Sequence, residues 1–140
     1  LLLIGLFTMT DADNKNINTI SNNPNHFNNS IIDEIQFEDM RELLEEDFAE
    51  LLQTFIDDSK QRIVMMQSAQ ANDDNANCFE FAHALKGASA TLGAIQLVAL
   101  SEQLEQACRN HKIGSQTDLI IQISVALQDV EQEINQRLGL

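Results

Sequence analysis

The residues best placed to do chemistry are His83, Lys86 and Gly87, within the run ANCFEFAHALKGASATLG at 76–93. Projected at about 100° per residue, Phe81, Leu85, Ala88 and Leu92 share one side of a helix, with Cys78 and Ser89 beside them. That side is the expected core face. His83 falls nearly opposite, among Ala76, Phe79, Glu80, Lys86, Gly87 and Ala90. A neutral imidazole standing out from mid-helix offers a nucleophilic nitrogen to an incoming group. Lys86, at i+3, brings an ammonium within reach of whatever the ring carries, which suits an anionic group. Gly87, at i+4, costs the helix about 1 kcal/mol against Ala. It is expected to leave clearance beside the ring for a second macromolecule. Acceptor, cation and clearance on one helical face point to phosphoryl transfer onto His83.

The same residues carry a resemblance. His83-Ala84-Leu85-Lys86-Gly87-Ala88-Ser89, followed by Leu92-Gly93-Ala94, resembles the H-x-L-K-G-x-S-x-x-x-G-A signature of histidine-containing phosphotransfer (HPt) domains. It extends over roughly 36–140, resting outside the signature on helix pattern rather than identity. The resemblance implies that His83 is phosphorylated, that Lys86 is the supporting cation and that Ser89 is a tolerated small polar residue. It implies a phosphorelay intermediate whose partners are receiver domains, one on a hybrid sensor kinase and one on a response regulator. The receiver supplies the aspartyl phosphate and the Mg²⁺, so no cofactor is expected on this chain. No Gly-rich phosphate loop is visible, so a carrier is expected rather than a kinase. Phe79, Glu80, Gly87 and Ala90 are the expected partner-binding positions around the ring.

Other readings compete for the same residues. A lone exposed histidine is ordinarily a solvated surface residue, and only Lys86 and Gly87 argue otherwise. Glu80 and His83 form an E-x-x-H pair, the half-motif of di-metal carboxylate bundles. No second E-x-x-H exists, because Asn lies one residue before both His26 and His111 and neither has Glu three residues before it. The third rival is an interaction bundle with no chemistry. Phe79 is read either as partly buried against a neighbouring helix or as an apolar contact for a docking partner.

The elements that must position these residues are helical. Five Gly and one Pro are too few for a turn-rich β fold, and Leu, Ile, Ala, Glu and Gln dominate the second half. The spacing predicts a short helix over 36–45 and long ones over about 47–70, 74–92, 94–111 and 116–138. The apolar stripes include Phe48, Leu51, Leu52, Phe55, Ile56, Ile63 and Met66, then Leu97, Leu100, Ser101, Leu104 and Cys108, then Leu119, Ile120, Ile123, Leu127, Val130, Ile134 and Leu138. Asp47, with Glu50 three residues on, is expected to cap the second helix, and Asp73, Asp74 or Asn75 the third. Gly93 stands where the third should stop. Short turns between long helices imply an all-α fold, an antiparallel up-down-up-down four-helix bundle with a short extra N-terminal helix.

The formal net charge of −14 and the absence of any Lys/Arg cluster argue against nucleic acid and anionic membranes as partners. A monomer in the cytoplasm is expected. Cys78 and Cys108 read as reduced core thiols. Residues 1–35 read as a polar leader with Pro24 and His26 in it. Residues 1–8 read as upstream sequence before a start at Met9, with an atypical export signal as the rival.

Overall fold

The computed structural model describes residues 30–140. The expectations for the leader before Ser30, including those on Met9 and His26, lie outside the described residues. Helix α1 is Glu34–Leu44, followed by a 3-10 turn at Glu45–Asp47. The long helices are α2 (Phe48–Ala71), α3 (Asn75–Leu92), α4 (Ile95–Arg109) and α5 (Thr117–Leu138), with a second 3-10 turn at Ile113–Ser115. Each long helix packs on two others. α2 lies against α3 and α5, and α4 lies against α3 and α5, which closes a four-membered ring. No strand occurs among the described residues. The expected four-helix bundle with a small N-terminal helix is therefore the observed one. Among the described residues, no helix is long and apolar enough to cross a membrane.

The stripes read from the sequence form the core. Leu51, Leu52, Phe55, Met66, Leu85, Leu92, Leu97, Leu104 and Ile123 are all buried. Phe81 differs: it packs at the edge of the core, and Ala82 takes the fully buried place. The bundle buries its centre on the Cys78, Ala82, Leu85 and Ser89 side of α3, so position 81 falls on the rim. Cys78 and Cys108 are buried thiols facing each other across α3 and α4, and burial pushes the pKa of both above the ordinary thiol value.

Helix ends follow local chemistry. Asp74 caps α3 by accepting from the Asn77 amide at 3.1 Å. Asp47 does not cap α2. Its backbone is already helical (φ −81°, ψ −8°), because the preceding 3-10 turn runs directly into the helix. A cap needs an extended residue whose carboxylate can swing over the first amides. The fold also begins earlier than position 36. Asp33 caps α1 through the Gln36 amide at 2.8 Å, and Ile32 is fully buried.

Helix α1 closes one end of the bundle. The Phe37 and Phe48 rings meet edge to face at 5.0 Å. Arg41 and Arg137 lie over the Phe37 ring at 5.4 and 4.8 Å. The Gln36 side-chain amide donates to the Ala90 and Thr91 carbonyls at 2.6 and 2.8 Å, answering acceptors that the last turn of α3 leaves open. Gly93 makes that approach possible. It sits at φ +84°, and a Cβ there would stand 3.0 Å from Gln36 Oε1 and 3.1 Å from Asp33 Cβ.

Two outcomes follow for stability. Gly93→Ala combines left-handed strain with crowding against α1 and is expected to cost about 1–2 kcal/mol or more, read as a lower urea midpoint; an unchanged midpoint contradicts this account of the α1 seat. The buried thiols set a pH dependence. Their folded-state pKa lies above the ordinary 9.0, so the unfolded chain loses these protons first as pH rises. Their contribution is complete below pH 9 and is lost progressively above it, so the urea midpoint should fall above pH 9 less steeply in Cys78→Ala/Cys108→Ala than in wild type.

Candidate functional site

Helix geometry places Phe79, His83 and Lys86 one above another on α3, at i, i+4 and i+7. On α4, Glu105 and Arg109 are likewise one turn apart. The helices are antiparallel, so Glu105 comes opposite His83 and Lys86, and Arg109 comes opposite Phe79. The contacts follow this register. His83 Nδ1 lies 2.7 Å from Glu105 Oε1, and Lys86 Nζ donates to Glu105 Oε2 at 2.9 Å. The Phe79 and His83 rings stack at 5.9 Å with their planes 11° apart. The Arg109 guanidinium lies over the outer part of this stack, 5.1 Å from the Phe79 ring centre.

The burial of these side chains is graded. The His83 side chain is 42% exposed, that of Lys86 25%, and that of Glu105 only 1%. A carboxylate removed from water is tolerable only when its oxygens are answered by strong donors. Here each oxygen has one. A carboxylate can only accept, so the proton of the shared bond belongs to His83 Nδ1. In the neutral ring Nε2 then carries the lone pair. The site thus contains a ring protonated at Nδ1, an ammonium beside it, and a buried anion holding both in place.

The other expected positions are distributed differently. Glu80 is exposed and does not join the His83–Glu105–Lys86 group. Ala90 is half-buried, and its carbonyl is engaged by Gln36 at the α1 end. Gly87 was expected on the outward face and is instead buried. A glycine has only backbone to expose, and the Thr91 hydroxyl covers its carbonyl with a 3.1 Å hydrogen bond. Among the described residues, no three His, Cys, Asp or Glu side chains form a possible metal ligand set.

Glu105 is the residue that the sequence reading missed. A signal was present: Glu105 follows Leu104 and lies at i+4 from Ser101 and i+8 from Leu97, so it falls on the edge of the α4 apolar stripe. An acid there is either a mistake of the pattern or a buried partner for something basic.

Comparison with known proteins bears on the whole bundle. The Hpt domain family matches residues 50–134, which include His83, Lys86, Glu105 and Arg109. Among solved structures, the chain is similar to histidine-containing phosphotransfer protein B (HptB) from Pseudomonas aeruginosa PAO1. The TM-score is 0.74 at 26% identity, over 78% of this chain and 95% of that one. No curated protein sequence matches. With a family match over more than half its length, on a bundle that presents the signature histidine from mid-helix, the chain belongs to the Hpt domain family.

Proposed function

We propose that His83 is the phosphoryl carrier of this domain, taking the group from a receiver-domain aspartate and giving it to another. Hpt domains serve histidine phosphotransfer in phosphorelay signalling, as carriers rather than kinases, and the finer assignments here rest on the site. The observation that supports them most is the doubly engaged Glu105 between His83 and Lys86.

The reaction follows from that arrangement. The Nε2 lone pair attacks the phosphorus of an aspartyl phosphate, the N–P bond forms, and the P–O bond to the aspartate breaks. The aspartate leaves as a carboxylate. The imidazole gains positive charge in this step, and Glu105 offsets it from 2.7 Å while the proton stays on Nδ1. The same contact serves the reverse step. A ring with Nδ1 protonated is the better leaving group when a second aspartate attacks the phosphorus. Lys86 lies on the phosphoryl side of α3 and reduces the cost of negative charge in both directions. Its partial exposure leaves the ammonium open to an added anion.

The partners are the receiver domains of a hybrid sensor kinase and of a response regulator. The Mg²⁺ of the reaction belongs to the receiver. The acidic chain works in the cytoplasm as a monomer, and its contacts are brief and modest in area.

Incubation with a panel of phosphorylated receiver domains tests the carrier residue. Wild type should acquire acid-labile label, and His83→Gln should acquire none while keeping its helical spectrum. Label on the variant equal to wild type would sink the assignment.

A second measurement addresses Glu105. Long-range ¹H–¹⁵N correlation spectra of the neutral ring should show Nδ1 protonated and Nε2 bare in wild type. In Glu105→Ala the tautomer should shift toward Nε2–H, and phosphoryl acceptance should slow by about 10-fold or more. An unchanged tautomer in that variant contradicts the positioning role.

A further inference from the structure

One cation beside the site has no part in the phosphoryl chemistry above. Arg109 is exposed at the end of α4. Arg41, Lys60, Lys86 and Arg137 are each paired with a carboxylate, whereas Arg109 has no carboxylate partner among the described residues. Its guanidinium is instead laid over the Phe79 ring at 5.1 Å, a contact that orders the head while leaving its hydrogen-bond donors unspent.

Arg109 and Phe79 also line an open cleft of about 350 Å³, together with Ala76, Glu80, Cys108 and His111. The cleft runs between the start of α3 and the end of α4. The Phe79 ring is its shared wall with the site, because one face of that ring stacks on the imidazole. Glu80 lines the same cleft but is not within ion-pairing distance of Arg109.

We infer that this cleft is a docking subsite for the receiver domain. It takes an apolar side chain against Phe79 while Arg109 pairs with a carboxylate of the same receiver segment. The inference rests on His83 as the phosphoryl acceptor. Three features select this occupant. The cleft adjoins the reacting ring through Phe79, which lines it and stacks on His83, so a partner seated on His83 extends beside it. Its walls combine an apolar ring with one ordered cation, the pairing that recurs at the centres of protein interfaces. The charge is also complementary. In a chain of net charge −14, a guanidinium without a carboxylate partner, set one ring away from His83, gives an acidic group on the partner a place to land in register with the site. Lys86 serves the phosphoryl group instead, with its ammonium held beside the ring by Glu105.

The test separates docking from chemistry by using two phosphoryl donors on the full chain. Phosphoramidate is small and has no surface to dock. The second donor is whichever phosphorylated receiver domain labels wild type fastest. In Arg109→Glu, labelling by phosphoramidate should stay within about two-fold of wild type. Transfer from limiting receiver should fall by about 10-fold or more through a higher KM, with the maximal rate nearly kept. The wild-type KM should rise with added salt more steeply than that of Arg109→Ala. Phe79→Ala, checked by thermal melting for an intact fold, should raise the KM for the receiver as Arg109→Glu does. The inference is overturned if both Arg109 variants take phosphoryl from the receiver like wild type. It is also overturned if phosphoramidate labelling falls in parallel, because Arg109 would then act through the ring. Wild type accepting phosphoryl from neither donor would instead remove the carrier function itself, and the subsite with it.

Discussion

A carboxylate shut away from water must be answered at both oxygens, and that requirement organises this molecule around Glu105. Its two donors come from α3 and it comes from α4, so the helices are held at one relative height. Sliding α4 by a single residue would move the carboxylate about 1.5 Å along the axis, enough to break one bond or strain both. The bundle packing therefore does more than bury Leu85, Leu97 and Leu104. It fixes the level at which a buried anion meets an imidazole and an ammonium. The tautomer of the His83 ring inherits its identity from that fit.

The remaining architecture can be understood as support for this alignment. α2 and α5 complete the ring of helices behind α3 and α4. The Asn75 side chain accepts from the Ile113 amide at 3.0 Å, tying the start of α3 to the turn after α4. At the opposite end, α1 and Gly93 secure the last turn of α3. The helix that carries His83 is thus held at both ends and braced in the middle.

Much of this was legible in the sequence. Four long amphipathic stripes, the Gly93 stop and a cap among Asp73, Asp74 and Asn75 all depend on interactions within a few residues, and the chain states them directly, the structure choosing Asp74. The outward position of His83 beside Lys86 follows from helical spacing alone. What the sequence did not state depends on neighbours far along the chain. Glu105 is 22 residues from His83, and a wheel of one helix cannot show that its acid meets another helix's base. Gly87 looked like a gap on an open face because a wheel records direction and not what covers it. Asp47 looked like a cap because its residue type is right, but the 3-10 turn before it had already fixed its backbone.

The clasp of Gln36 on the Ala90 and Thr91 carbonyls leaves the two ends of α3 with separate neighbours. Gln36 grips α3 seven to eight residues beyond His83, or about 10–12 Å at helical rise. The Phe79 and Arg109 side of the ring lies in the other direction. The contacts that seat α1 and those that stack Phe79, His83 and Arg109 share no residue, so the two ends of α3 can vary separately while the helix between them keeps its height.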